Sequence, residues 1–156
     1  FATCVCRRSE NVLQPLLLHK NNLIREEALK SLHRTGGNDR GPLMMAVLPT
    51  VDDEFKLNII EALGSIKYIE AVPALVDMLK ERPKVSTAPR IELEEKICTI
   101  LGKIGSDSAL PALKEISHSK SFFLLGKYPE KVRKAATKAL MAIELKQADD
   151  ARQARR

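Results

Sequence analysis

Apolar residues recur along this chain with the spacing of one face of an α-helix. The pattern appears in four segments, which align on four anchor leucines: Leu32, Leu63, Leu101 and Leu140. Each segment also has an apolar residue eight and four positions before its anchor, and three of them have isoleucine three positions after it. These offsets fall on one side of a helix. We therefore predict four amphipathic helices, which we call A-type.

A proline stands ten residues after each of the first three anchors, at Pro42, Pro73 and Pro111. Proline is tolerated in the first turn of a helix, where its missing N–H removes no hydrogen bond. Apolar residues follow two and five positions after each of these prolines. The pattern predicts a second helix here, which we call B-type. Each A-type helix and its B-type helix would form a hairpin, with spacings of 31, 38 and 39 residues between anchors.

The links between the predicted helices carry signals for helix ends. Gly36 and Gly105 suit a left-handed residue after an A-type helix. Asp39 and Ser108 are the predicted N-caps of B-type helices. The segment 50–53, Thr-Val-Asp-Asp, supplies a cap and acidic residues before the second A-type helix, where the helix dipole favours negative charge.

Residues 132–140 read V-R-K-A-A-T-K-A-L and closely resemble the V-R-x-A-A-x-x-A-L core of bacterial HEAT repeats. Residues 63–66 and 101–105 resemble the same family, which includes the HEAT-like repeats named after phycobilisome lyases. The resemblance covers residues 10–147 and implies an all-α fold, a right-handed α-α superhelix (HEAT/armadillo-like solenoid) of about four helical hairpins. Stacking lets neighbouring hairpins bury surfaces that one hairpin cannot bury alone.

This interpretation predicts one solenoid domain over residues 1–147. Its repeats would cover about 1–20 (partial), 21–50, 51–83, 90–120 and 129–147 (partial). Residues 148–156 would be a polar C-terminal tail, either a helical extension or a frayed end. Because the chain begins with Phe1 and the pattern starts and stops within a repeat, we expect it to be a fragment of a larger protein.

Composition narrows the class of protein. Good helix formers dominate and aromatic residues make up only 4%, which argues against an all-β domain. No apolar run approaches the ~20 residues that span a bilayer. The three cysteines, Cys4, Cys6 and Cys98, form no disulfide framework, which favours a reducing compartment and a cytoplasmic location. Cys98 is predicted to be a small buried or half-buried apolar residue.

The motifs of common enzymes are missing from the sequence. None of His19, His33 and His118 is followed by Glu, so the His-Glu iron ligands of HEAT-repeat hydroxylases are absent. HEAT-like DNA glycosylases use tryptophan on their concave face, and this chain has none. The Cys4-x-Cys6 pair has no second Cys or His pair nearby to complete a metal site. We therefore predict no catalytic residues, no cofactor and no metal.

HEAT stacks usually line their concave face with B-type helices, so the resemblance points to outward residues on those helices as binding residues. In the first B-type helix this residue is Met45, in an almost wholly apolar run that either binds a partner or lies under another part of the array. In the next two helices the outward residues include Asp77, Lys80 and Lys114.

Two connections between repeats are long. Residues 81–90 contain two prolines and are predicted to be an exposed loop. Residues 117–130 contain Phe122 and Phe123, which either cover the core of the last repeat or form an exposed apolar binding element.

The predicted function is a non-catalytic scaffold or adaptor that binds a protein partner through the B-type helices and the long loops. The net charge of +6 is mild. Basic residues from Lys114 to Lys138, with Lys80, Arg82, Lys84 and Arg90, form either a solvated surface or a stripe for sequence-nonspecific nucleic-acid binding. A subunit of a chromophore-lyase-type enzyme is a further alternative, which rests on the family resemblance. The oligomeric state stays open.

Overall fold

The computed structural model describes residues 12–35, 37–81, 87–119 and 128–154. These residues form eight α-helices and short 3-10 turns, with no strand in the described ranges, which confirms the prediction of an all-helical fold. The chain divides into two compact units, one ending at Ile66 and the other beginning at Lys67. The boundary falls in the link between an A-type helix and the B-type helix that follows it.

The first unit contains one short helix and one complete A–B–A series. Its helices are α1 (residues 12–17), α2 (Asn22–Thr35), α3 (Arg40–Val47) and α4 (Asp53–Ser65). The A-type helices are α2 and α4, and α3 is B-type. Short 3-10 turns, Gly37–Asp39 and Leu48–Thr50, flank α3.

The second unit repeats the alternation, beginning with a B-type helix. Its helices are α5 (Val72–Lys80), α6 (Ala88–Ile104), α7 (Leu110–Ser117) and α8 (Glu130–Gln153). Pro73 and Pro111 stand in the first turns of α5 and α7, as the spacing from the anchors predicts. Helix α8 continues beyond Gln147 to Gln153, and these last helical residues are exposed.

The predicted apolar face forms the core of both units. All four anchor leucines are buried, and so are the residues four positions before them. Of the residues eight positions before the anchors, Phe55, Leu93 and Val132 are buried, whereas Ile24 is half-buried. On the B-type helices, Met44, Leu75 and Leu113 are fully buried. The helical period therefore identified the core residues correctly.

Helices α6 and α8 pack side by side. A side chain built on Gly102 would place its Cβ 2.9 Å from the Cα of Ala139, so the two helices touch at this point. Three residues further along α6, the carbonyl of Gly105 accepts a hydrogen bond from Lys146 at 3.4 Å. Because contacts further along α6 are also further along α8, the two helices run in the same direction. Helix α7 packs against α8 as well.

Two predicted helix ends are confirmed by their geometry. Gly105 follows α6 in the left-handed region, with φ 72° and ψ 37°, and its N–H donates to the carbonyl of Leu101. Asp52 is the N-cap of α4, and its Oδ1 accepts a hydrogen bond from the Phe55 N–H at 2.9 Å.

The predicted N-cap Ser108 is wrong, whereas Asp39 occupies the N-cap position of α3 as predicted. Ser108 lies inside the 3-10 turn Asp107–Ala109, where its hydroxyl bonds the Ser106 hydroxyl, and Ala109 precedes α7 instead. Asp39 directly precedes α3 but makes no capping hydrogen bond. In both cases a 3-10 turn runs directly into the helix. Carbonyls of such a turn can accept the N–H groups that a capping side chain would otherwise bind.

The predicted loop over residues 81–90 is shorter than expected. Helix α6 begins at Ala88, so Pro89 stands in its first turn and Arg90 is part of the helix. A proline in the first helical turn costs no hydrogen bond, so Pro89 opens the helix and does not prevent it. Residues 82–86 lie outside the described part of the chain.

The cap of α4 leads to a test of stability. We expect Asp52→Ala to lower the free energy of unfolding by about 1 kcal/mol, since it removes the bond to the Phe55 N–H and the contact with Arg25. The Phe55 N–H, and secondly Arg25, keep the pKa of Asp52 below its ordinary value of 3.8. A lowered pKa stabilises the fold above the unfolded pKa, and this stabilisation is lost as the pH falls through the folded pKa.

Urea denaturation over a pH series from neutral to acidic would measure this difference between wild type and variant. It should be clear at neutral pH and small in acid. Glu54→Ala is a suitable control, because Glu54 is an exposed acidic residue in the same helical turn that does not occupy the cap. Equal losses for both substitutions would show that the cap contributes nothing specific.

Candidate binding surfaces

The sequence-predicted binding residues of α5 form an exposed ion pair. The Lys80 ammonium lies 3.6 Å from a carboxylate oxygen of Asp77, one helical turn earlier, and both side chains are more than 60% exposed. Such exposed pairs contribute little to stability, because water screens them and ordering two long side chains costs entropy. Both groups are therefore free to exchange this contact for one with a partner at small cost.

Lys114, on α7, makes a comparable contact with α8. Its ammonium lies 4.0 Å from a carboxylate oxygen of Glu144, and both side chains are more than half exposed. The sequence pattern singled out Lys114 but not Glu144, since only the packing of α7 against α8 brings the two together. The surface around Lys114 therefore includes part of α8.

Of the three remaining predicted binding residues, only Met45 lies in the described part of the chain. Met45 is half-buried on α3, and its neighbour Ala46 is exposed. Phe122 and Phe123 lie outside the described residues, as do Cys4 and Cys6.

Arg90 was predicted to belong to a basic surface, but the structure shows it inside unit two. Its side chain is only 13% exposed, and its Nε lies 3.3 Å from Oε1 of the fully buried Glu94. The guanidinium also donates to the carbonyls of Met78 and, at 2.9 Å, of Glu81. These carbonyls belong to the C-terminal end of α5, where the helix itself offers no donors. Arg90 thus fastens the end of α5 to α6.

Tyr128 serves the same helix end. Its side chain is buried, and its hydroxyl donates to the carbonyl of Leu79 at 3.2 Å. Tyr128 is one of the aromatic residues of the long connection 117–130, and it covers the core as one of the two interpretations of that segment predicts. The other interpretation, an exposed aromatic element, rests on residues that are not described.

Three half-buried arginines and lysines share one position, seven residues before an anchor leucine: Arg25, Lys56 and Arg133. Arg25 lies over the Phe55 ring at 4.7 Å and 2.6 Å from Asp52. Arg133 donates to the carbonyl of Ser119 at 3.4 Å.

The remaining segment, with anchor Leu101, has Glu94 at this position, and Arg90 supplies the positive charge from one turn away. The repeat alignment contains this signal. A basic residue stands at this position in three segments and a glutamate in one, and that exception is the sequence signal for the buried pair of Glu94 with Arg90. Comparison of the apolar positions alone does not reveal this signal.

The groove between α6 and α8 contains basic residues that are exposed and make no such structural contact in the core. It has a volume of about 430 Å³ and is lined by four lysines: Lys103, Lys131, Lys134 and Lys138. Lys134 pairs with Glu130 at 2.6 Å, with both side chains about 70% exposed. In the part of the chain that the structure describes, no carboxylate lies within ion-pair distance of the other three lysines. Small residues line the groove between them: Gly102, Ala135, Ala139 and Ala142.

The first unit has a larger groove, between α2 and α4, with a volume of about 610 Å³. Its lining mixes both signs of charge, with Glu26 and Glu61 as well as Lys30 and Arg34. His33 contributes a buried Nδ1 that has no hydrogen-bond partner among the described residues. Size alone would favour this groove. The α6–α8 groove has the clearer chemical preference, because four lysines and one glutamate, Glu95, line it.

The described residues show no group of three or more His, Cys, Asp and Glu side chains that could hold a metal ion. Cys98 is fully buried, and burial, with a smaller effect of Glu94, raises the pKa of its thiol to about 12. It is therefore a packing residue, as predicted. Within the same described ranges, no helix has the length and hydropathy that crossing a bilayer requires. No family model matches this sequence, and no curated protein matches it either.

Proposed function

We propose that this chain is a non-catalytic scaffold or adaptor that binds a protein partner through the exposed charged side chains of its B-type helices. We further propose that its hairpins are HEAT-type repeats of a right-handed α-α superhelix. In support of this architecture, A-type and B-type helices alternate in both units. In the second unit, the successive A-type helices α6 and α8 lie side by side in parallel, as neighbouring repeats of a solenoid would.

The observation that carries the proposed function is the exposure of three charged side chains on the B-type helices: Asp77, Lys80 and Lys114. Each side chain is more than half exposed although each has an ion-pair partner. The structure therefore assigns these residues no large role in stability. Exposed charges on packed helices can steer a partner and set its orientation without any change in the fold. Met45, Phe122 and Phe123 complete the proposed binding set.

Charge reversal tests this proposal. We expect the double variant Lys80→Glu, Lys114→Glu to weaken capture of the native partner in a pull-down by about tenfold or more, without unfolding the chain. Co-purification from the native host, with wild-type chain as bait, would first identify the partner. Circular dichroism would verify that the variant is folded.

Lys30→Glu is the matched control. Lys30 is an exposed lysine, 63% accessible, that also pairs with an acidic residue three positions away, but it lies on an A-type helix. Its reversal should leave capture unchanged. If the Lys80, Lys114 double variant captures the partner as well as wild type does, the proposed binding surface is wrong.

A further inference from the structure

We propose that the groove between α6 and α8 is a docking site for an acidic amphipathic helix of a partner protein. Glutamates or aspartates on both flanks of that helix would face the lysines of the groove, and a stripe of small apolar residues would lie on its floor. This surface is formed by A-type helices, so it is distinct from the B-type surface proposed above and stands or falls separately.

The charge of the groove selects an acidic occupant. Lys131, Lys134 and Lys138 lie at positions i, i+3 and i+7 of α8, which places all three on the side that faces α6. Lys103 contributes a positive charge from the α6 side. Among the described residues that line the groove, the acidic one is Glu95. Lysines stand on both sides of the groove and outnumber its one carboxylate, so an occupant with negative charge on both flanks is complementary to it.

The floor of the groove suits a helix. Gly102 and Ala139 are in direct contact, and Ala135 and Ala142 continue the line of small residues along α8. Small residues at a helix–helix contact allow the axis of the bound helix to lie close to those of α6 and α8, at the lower end of the usual interaxial distance of ~8–10 Å. From Lys131 to Ala142 the groove covers twelve residues of α8, and the distance between the first and the last is about 16 Å at a rise of ~1.5 Å per residue. An occupant of about three helical turns fits this length.

A nucleic acid fits the same charge but not the same floor. Proteins that bind single strands offer aromatic side chains on which the bases stack, and none of the described residues lining the groove is aromatic. An apolar centre with a charged rim is instead the usual anatomy of a protein–protein interface. The observations therefore favour a peptide over a phosphate backbone.

Fluorescence anisotropy with a defined peptide pair would test the site. The probe is a lactam-bridged helix of about 14 residues with an alanine–leucine stripe and glutamate on both flanks, and its partner has glutamine at every glutamate position. We expect the glutamate peptide to bind the wild-type chain about tenfold or more tightly than the glutamine peptide. A labelled duplex DNA of similar length is measured in parallel.

Two variants separate charge from shape. The first, Lys131→Glu with Lys138→Glu, reverses two exposed groove charges and should weaken the glutamate peptide by about tenfold or more. The second, Ala142→Trp, leaves the charges intact and places a large side chain at an exposed floor position. It should also abolish peptide binding, whereas electrostatic binding of the duplex DNA would be unchanged, since the lysines remain.

Lys30→Glu in the first unit and Lys80→Glu on α5 serve as controls, and both should leave peptide affinity unchanged. Equal binding of the two peptides, full peptide binding by Ala142→Trp, or tighter binding of DNA than of the glutamate peptide would each overturn the proposal. Circular dichroism identifies any variant that fails to fold, and the remaining variant together with the peptide pair still decides the question. Loss of the groove site would leave the proposed B-type surface unaffected.

Discussion

Replacing Arg90 with leucine is expected to lower the free energy of unfolding by about 3–5 kcal/mol. The substitution removes the guanidinium that lies 3.3 Å from the carboxylate of Glu94, and Glu94 is completely shielded from solvent. Removing one partner of a buried ion pair leaves a charge in a medium that solvates it poorly. The same substitution removes the donors to the carbonyls of Met78 and Glu81 at the end of α5.

The double variant Arg90→Leu, Glu94→Leu gives the sharper result. Because an apolar pair of similar size is often as stable as a buried ion pair, we expect it to recover a large part of the lost stability. Recovery will be incomplete, since the carbonyls at the end of α5 still lack their donor. Chemical denaturation of the wild type, both single variants and the double variant would yield the coupling energy.

Lys134→Leu is the matched control for Arg90. Lys134 and Glu130 form an ion pair with the same four-residue separation in the same unit, but both side chains are about 70% exposed. Losing this pair should change stability by no more than about 0.5 kcal/mol. A double variant of Arg90 and Glu94 that is no more stable than Arg90→Leu alone would show that burial of the charge is not the cause.

Truncation of an anchor leucine should have an effect of similar size. Leu101 is fully buried on α6, and we expect Leu101→Ala to cost about 2–5 kcal/mol. The loss combines the transfer free energy of the removed methyl and methylene groups with the cavity that remains. Because α6 packs against both α5 and α8, the neighbouring helices are restrained from closing that cavity. Leu63→Ala, at the equivalent anchor on α4 and equally buried, should cost a similar amount.

Leu145→Ala separates burial from residue type. Leu145 lies on α8 with 63% of its surface exposed, so its truncation should change stability by less than about 0.5 kcal/mol. Thermal or urea denaturation of the three variants measures both quantities. Similar losses for Leu101 and Leu145 would contradict the assignment of the anchors as core residues.

The core residues could be predicted from the sequence because they recur with the period of an α-helix. Apolar residues at these offsets lie on the same face of their helix. Leu93, Ile97 and Leu101 could therefore be predicted to be buried without knowledge of the residues that pack against them. The same reasoning succeeded for the ends of helices where one residue decides the geometry. Gly105 takes a left-handed conformation that costs glycine little, and Asp52 reaches an N–H three residues away in the same chain segment.

Predictions about charged residues were less successful because charge does not follow that period. Arg90 is basic and adjacent to a proline, and the sequence alone placed it in an exposed loop. The structure places it in a helix, against a buried carboxylate and the end of another helix. Lys131 and Lys138 are also basic, yet they are exposed and line a groove. The amino-acid sequence alone could not distinguish a buried, ion-paired basic residue from an exposed one.

The sequence by itself determined that this protein is all-helical, which residues form its core, and how its A-type and B-type helices alternate. Those properties depend on the helix propensity of the residues and on the spacing of the apolar positions. Both can be read from the sequence of each helix by itself. The tertiary structure decided which charges stabilise the fold and which are available to a partner. The environment of Arg90 depends on Glu94 and on the end of α5, whereas that of Lys138 depends on how closely α6 approaches at Gly102. A charge is stabilised by groups that surround it in space, and packing alone brings those groups together.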